Sequence, residues 1–208
     1  MRRFAHTAAT VAALLMLGAC AIERPESAVP VEYDFGPAPS YTRSENAIPA
    51  IVLIASVRAP AWIDSDGIVY RLLYEGASRP QAYAMSRWAA EPPSLLADRL
   101  RSRLAAASRG VVTPAFGARS DYTLRVELED FSQQFDAPGR ARALLRARAT
   151  LLGSDARILL AQRVFEVQQP AEPHAQGAVQ ALTVATERFL DELLPWVAAI
   201  VAQAAVPK

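Results

Sequence analysis

Tyr122-Thr123-Leu124-Arg125-Val126-Glu127-Leu128-Glu129 decides the fold of this chain. Apolar and polar residues alternate without a break, so in an extended backbone one set faces a core and the other faces water. The same period returns downstream. Ala141, Ala143, Leu145, Ala147, Ala149 and Leu151 alternate with a polar column holding Arg140, Arg142, Arg146 and Arg148. After a turn at Gly153-Ser154-Asp155, a third segment runs from Arg157 to Val167. Three such segments joined by short turns read as an antiparallel meander.

On both sides of the meander the period changes to that of a helix. Between Pro92 and Ser108, Leu96, Leu100 and Leu104 form a stripe, with Asp98, Arg99, Arg101 and Arg103 mostly off it. Pro92 and Pro93 suit a first helical turn, where a missing N–H costs nothing, and Gly110 is placed to end the helix. Trp88, one turn upstream, is placed to cover its start. A second helix starts near Gly177, with Val179, Leu182, Thr186, Phe189, Leu190 and Leu193 on its apolar stripe. Pro195 is expected to kink or end it, and Trp196 to Ala205 to continue as a second short amphipathic helix.

Upstream, Ala50 to Val57 is a β-branched apolar run between Pro49 and Pro60, which suits a strand buried on both faces. Ala61 to Gly67 reads as a loop with a packed tryptophan, Ile68 to Tyr74 as a second strand, and Gln81 to Met85 as a third. Tight hairpins at Gly67 and Gly76 would join them. Val31 to Gly36 alternates apolar with acidic residues and suggests a short strand added at a sheet edge. The fold implied is α+β: a mostly antiparallel sheet of five to seven strands, with room for one parallel pairing, and two main helices packed on one face. No internal repeat is visible.

The N-terminus carries an address. Arg2 and Arg3 precede an apolar stretch from Ala8 to Leu17, too short to span a bilayer, which needs about 20 apolar residues. Leu17-Gly18-Ala19-Cys20 follows, and Cys20 is the only cysteine. The four residues resemble a bacterial lipobox, which implies cleavage before Cys20, a diacylglyceryl thioether on its sulfur and acylation of the new amino terminus. Ala21 stands where an Asp would resemble the inner-membrane retention signal, so outer-membrane sorting is expected. The organisation read from this is a signal peptide over 1–19, a lipidated N-terminus and flexible tether with a short strand over 20–49, and one domain over 50–208. A tether of about 28 residues has a root-mean-square reach of roughly 30 Å.

Composition narrows the chemistry further. The leader holds two of the 22 basic residues and none of the 21 acidic ones, so the mature chain is close to neutral. That argues against nucleic acid as a partner, since phosphate binding calls for a net basic face. Acylation of the only cysteine leaves no disulfide. His174 is the one histidine of the mature chain, expected as a solvated loop residue, so a zinc or iron site with several N or S ligands is not expected. No phosphate-cradling Gly-rich motif and no G-x-S-x-G elbow is present. Asp64 and Asp66 beside Gly67 read as an Asx-turn rather than part of a calcium loop. The arginine column can meet an acidic partner or anionic lipid, but pairing with Glu127, Glu129 and Asp130 on the neighbouring strand is favoured. Trp196 to Val201 is apolar enough for a membrane or partner contact, and core packing is favoured there too. No enzyme activity, cofactor or metal is expected.

Ile68-Val69-Tyr70-Arg71, then Arg87-Trp88-Ala89-Ala90-Glu91-Pro92 and the leucine-striped helix to Leu104, resemble the ABC-type transport auxiliary lipoprotein family, which includes PqiC-like proteins. The Tyr33-Asp34-Phe35-Gly36 segment and the strand ending in Asp130-Phe131 are similar to that family as well. Ala89-Ala90 has one alanine more than the family pattern, and Pro93 stands where an aliphatic residue is expected. The resemblance implies an outer-membrane lipoprotein, lipid-anchored on the periplasmic face. It would act as a non-catalytic docking component of an ABC or MCE-type lipid transport system. Its partner would be an MCE-domain protein or another subunit of that system, on separate chains. The contact residues put forward are Arg71, Trp88 and Glu91, which packing and capping would equally explain. A ring of copies and a monomer both stay open. The alternative is an envelope assembly or wall-synthesis regulatory lipoprotein that binds another periplasmic or outer-membrane protein.

Overall fold

The computed structural model describes residues 29–41 and 48–205; the leader, Cys20 and about half of the expected tether lie outside them. The meander is its longest continuous feature. Strand β6 (Tyr122–Ala137) pairs antiparallel with β7 (Arg140–Gly153) along its whole length, and β7 with β8 (Leu159–Ala171). Pro138-Gly139 makes the first turn, with Gly139 at φ +74°, a conformation costly for a residue with a Cβ. A bulge between Leu128 and Asp130 shifts the alternation, so Leu124, Val126 and Leu128 and then Phe131 face the core.

The architecture is α+β as the sequence implies, but the sheet has eight strands rather than five to seven, and it is mixed. β1 (Val31–Tyr33) lies parallel to β4 (Gln81–Trp88), and β2 (Ile48–Ile54) parallel to both β5 (Ser108–Val112) and β6. β3 (Gly67–Leu72) is antiparallel to β4 and parallel to β6. Four pairings are therefore parallel where the sequence left room for one. The expected hairpin at Gly67 does not form. Instead β2 and β3 both lie along one side of β6, β2 against Tyr122–Leu124 and β3 against Gln133–Phe135. Between them the chain touches β6 at a bridge from Arg58 to Glu127. The strand expected over Ala50–Val57 runs instead over Ile48–Ile54, with alternate rather than two-sided burial.

Helix α1 (Leu73–Gly76) is a single turn between β3 and β4. Helix α2 (Pro92–Ala107) starts at the two prolines but stops before Gly110. Ser108 turns its hydroxyl back to the Leu104 carbonyl, and the chain continues as β5, where Gly110 lies against Ile51. Helix α3 (Ala175–Ala204) runs through Pro195 without ending. The proline costs about 3 kcal/mol in a helix interior. Val197 and Val201 continue the buried stripe of Phe189, Leu190 and Leu193, and burying such side chains offsets that cost.

Both long helices cover the same face of the sheet and share one core with it. Ala143, Ala147 and Ala149 on β7 meet a helix whose own buried face includes Ala178, Ala181 and Ala185, so small residues on both sides let helix and sheet approach closely. The helix start is equally tight: a Cβ on Gly177 would sit 2.4 Å from the Glu172 carbonyl oxygen.

Candidate functional site

β1 and the segment that follows it are fastened to the domain by a set of polar contacts centred on one buried arginine. Val31–Tyr33 adds to the β4 edge, with Arg87 bonded to Glu32 at 2.6 Å and the Ala89 amide donating to the Tyr33 carbonyl. Asp34 accepts from the Gly36 amide, and Phe35 turns inward, edge-on to Trp88 at 5.6 Å and tilted against Phe131. From α2, Arg99 then donates to the carbonyls of Phe35 (2.8 Å), Gly36 (2.9 Å) and Pro37 (3.3 Å). Its side chain is only 5% exposed, and its charge is balanced by Glu187 on α3 at 3.4 Å.

One helical turn on, the pattern repeats. The Arg103 guanidinium lies over the Tyr41 ring at 4.6 Å and pairs with Asp191, while the Tyr41 hydroxyl donates to Glu187. Burial, together with the Glu187 carboxylate, pushes the Tyr41 phenol up, against the opposing pull of Arg99. Two arginines four apart on α2 thus face two acids four apart on α3, and residues 35–41 lie across that seam as a strap. Sequence reading passed over this pair of ladders. The signal was present as Arg99/Arg103 and Glu187/Asp191, each at the spacing that puts side chains on one helical face.

The three residues put forward for partner contact do not converge. Trp88 is 1% exposed and its ring packs on Phe35 and Phe131, beneath the strap. Arg71 is half-buried on the outer face of the sheet, stacked on Trp62 at 4.4 Å and donating to the Ala77 carbonyl. Glu91 is exposed at the N-cap of α2, where its carbonyl receives the amides of Ser94 and Leu95. Cys20 lies outside the described residues.

On the outer face of the meander, most of the arginine column is paired. Arg148 and Arg146 both bind Glu129, Arg146 also reaches Glu166 on β8, and Arg142 pairs with Asp136 and bonds Gln134. Of the three acids expected to pair, Glu129 alone carries the ion pairs among the described residues. Burial pushes its carboxyl up, but the hydrogen bonds and charges of the two arginines outweigh it and hold the group below its usual range. Asp130 moves the other way, because its burial exceeds the help from Ser132 and Arg71.

His174 is exposed but is the N-cap of α3, its Nδ1 accepting from the Gly177 amide at 3.0 Å. Trp196 meets Phe165 edge-on, and Val197 and Val201 are buried in the core. Among the described residues no cluster of His, Cys, Asp and Glu could hold a metal ion, and no helix is long and apolar enough to cross a membrane. The arrangement offers contacts and attachment.

A model of the family described as ABC-type transport auxiliary lipoprotein component matches residues 33–193. The fold is similar to the crystal structure of a DUF330 protein from Xanthomonas campestris, at 22% identity and a TM-score of 0.69, covering 84% of this chain and 95% of that one. It is also similar to a hypothetical protein from Chlamydia trachomatis at 8% identity and a TM-score of 0.51, covering 74% and 98%. Comparison with curated proteins found no match.

Proposed function

The chain belongs to the ABC-type transport auxiliary lipoprotein family, and from that premise we propose that it is a non-catalytic docking component of an MCE-type lipid transport system. It is held on the periplasmic face of the outer membrane by acyl chains on Cys20. The ATPase, the permease and the MCE protein are separate chains, and this domain supplies a surface fixed near the membrane.

The observation that carries this reading is the attachment of the N-terminal segment to the domain. Because β1 is already part of the sheet at Val31, only ten residues lie between it and Cys20, and that lead spans at most roughly 40 Å, where full extension to Pro49 would reach roughly 100 Å. That is a much shorter lead than a tether running to Pro49 would give. A short lead supports a role as a membrane-side platform, with Arg71 and Glu91 as exposed or half-exposed contact candidates and Trp88 acting through the packing beneath the strap.

Cys20→Ala tests the anchor: the protein should stay folded, leave the membrane fraction and lose its function. Crosslinking in intact cells tests the partner, and an MCE-domain protein should be recovered. Recovery of a wall-synthesis or outer-membrane assembly protein in its place would turn the reading to the alternative. A Cys20→Ala protein that still fractionates with membrane and still functions would remove the lipoprotein reading altogether.

A further inference from the structure

The break between β2 and β3 opens a groove on the outer face of the sheet. After Ala55, whose amide still donates to the Leu124 carbonyl (2.9 Å), the chain leaves β6 and returns at one point, where the Arg58 amide donates to the Val126 carbonyl (3.0 Å) and the Leu128 amide to the Arg58 carbonyl (2.8 Å). A cavity lies on each side of this touch point. One, of about 290 Å³, is lined by Ser56, Pro114 and Arg125; the other, of about 360 Å³, by Ala59, Pro60 and Glu129. Arg58 and Glu127 wall both.

The charges here differ from those elsewhere on the same face. Arg142, Arg146 and Arg148 are engaged with carboxylates, and Glu129, at the far wall, is taken by two of them. Arg58, Arg125 and Glu127 form no side-chain hydrogen bond or ion pair among the described residues, although Arg58 and Glu127 are direct neighbours across the bridge. Two guanidiniums and one carboxylate with no side-chain partner among the described residues therefore line one groove, and all three are exposed.

The geometry points to a binding site for a phosphoethanolamine group. A guanidinium presents a planar fork that matches phosphate oxygens, and two of them hold the anion. A bare phosphate would also meet Glu127, which repels it; a primary ammonium on the same ligand turns that repulsion into attraction. The site carries two positive charges and one negative, so the phosphodiester anion of such a zwitterion would be shared by the two guanidiniums while its ammonium meets Glu127. The group could be a phospholipid headgroup or a free phosphoester, and both share this chemistry.

The test is titration of the purified full chain in detergent with glycerophosphoethanolamine and, separately, glycerol 3-phosphate, followed by calorimetry. Saturable binding that prefers glycerophosphoethanolamine is expected. Arg58→Ala and Arg125→Ala should each weaken it about tenfold or more, the loss typical of a charge-assisted hydrogen bond. Glu127→Gln should keep phosphate binding and abolish the preference. All three positions are exposed, so each variant should keep the wild-type melting temperature. Flotation of the Cys20→Ala protein with phosphatidylcholine vesicles, with and without phosphatidylethanolamine, separates the sources. Phosphatidylethanolamine-dependent flotation lost in Arg125→Ala assigns the lipid, and binding of the soluble probe alone assigns a free phosphoester. No saturable binding of either soluble compound, or unchanged affinity in both arginine variants, overturns the site. The assay needs no transport partner, so its failure leaves the docking reading standing.

Discussion

Residues 122–204 and residues 31–112 build one sheet by opposite rules. In the later region each strand pairs with its neighbour in sequence, through turns of a few residues, and α3 folds back over the result. In the earlier region most strands find distant partners: β1 pairs with β4, β2 with β5 and β6, and β3 with β6 as well as β4. Short-range pairings close small loops at little entropic cost, whereas distant ones need a surface already in place. β6 is that surface, since it gives one side to β7 and the other to β2, Arg58 and β3 in succession. The later region should therefore stand as the template, and the earlier one should depend on it.

Phe165→Ala is the severest test of that dependence. The ring is buried on β8, edge-on to Phe189 and Trp196 at 5.4 and 5.8 Å, so it joins the meander to both halves of α3. Removing a buried aromatic of this kind costs about 3–5 kcal/mol. Urea unfolding should show one cooperative transition at a lower midpoint, with β2 and β3 lost together with the meander. Survival of amide protection in β2 and β3 after the meander has opened would reverse the proposed order.

Arg99→Ala probes the opposite direction and should cost less. It leaves the carbonyls of Phe35, Gly36 and Pro37 without their donor and Glu187 without its counter-charge. Glu187 is 24% exposed and can take up water, so the loss should be about 2–3 kcal/mol rather than the full cost of a broken buried pair. Hydrogen exchange should quicken in β1 and the strap while β7 keeps its protection. Arg99→Lys should recover only part of the effect, because an ammonium cannot serve three carbonyls from one plane. Loss of protection in β7 to the same degree would mean that the two regions form a single cooperative unit.

What the sequence made legible follows the same division. The meander could be read because its alternation is local, and the turns at Gly139 and Gly153 leave nowhere else for the strands to pair. The parallel pairings could not, because nothing within Ile48–Ile54 says that its neighbours are Tyr122–Leu124 and Ser108–Val112. β5 went unseen for a related reason. Ser108-Arg109-Gly110 reads as the end of a helix, and only an open edge on β2 makes a strand of it. Pro195 misled because its local cost is real, and the burial that outweighs it is tertiary. In the candidate site, Trp88 could be placed near the start of α2 and Phe35 next to a short edge strand, but the Arg99 clamp depends on how two helices meet. The Arg58 groove exists only because one strand breaks where its neighbour does not.

The smallest predicted effect sits on the boundary itself. The β6 bulge brings Glu129 and Asp130 together between the stretches that serve β2 and β3, and the two carboxyls are shifted in opposite directions. Glu129 lies below its ordinary 4.5, so it adds stability at neutral pH that is lost as pH falls through its folded value. Asp130 lies above its ordinary 3.8, so the folded state holds that proton more tightly and gains stability as pH falls through the raised value. Glu129→Gln should therefore lower stability at pH 7 and reduce the loss on acidification, by less than about 1 kcal/mol because its arginine partners are well exposed. Asp130→Asn should raise stability at pH 7 and steepen the loss on acidification, provided the amide oxygen still accepts from Ser132. Urea midpoints measured from pH 7 down to pH 3 separate the two slopes. If both substitutions moved stability in the same direction across that range, the two carboxyls would be acting as one coupled pair, and the bulge would not divide the regions electrostatically.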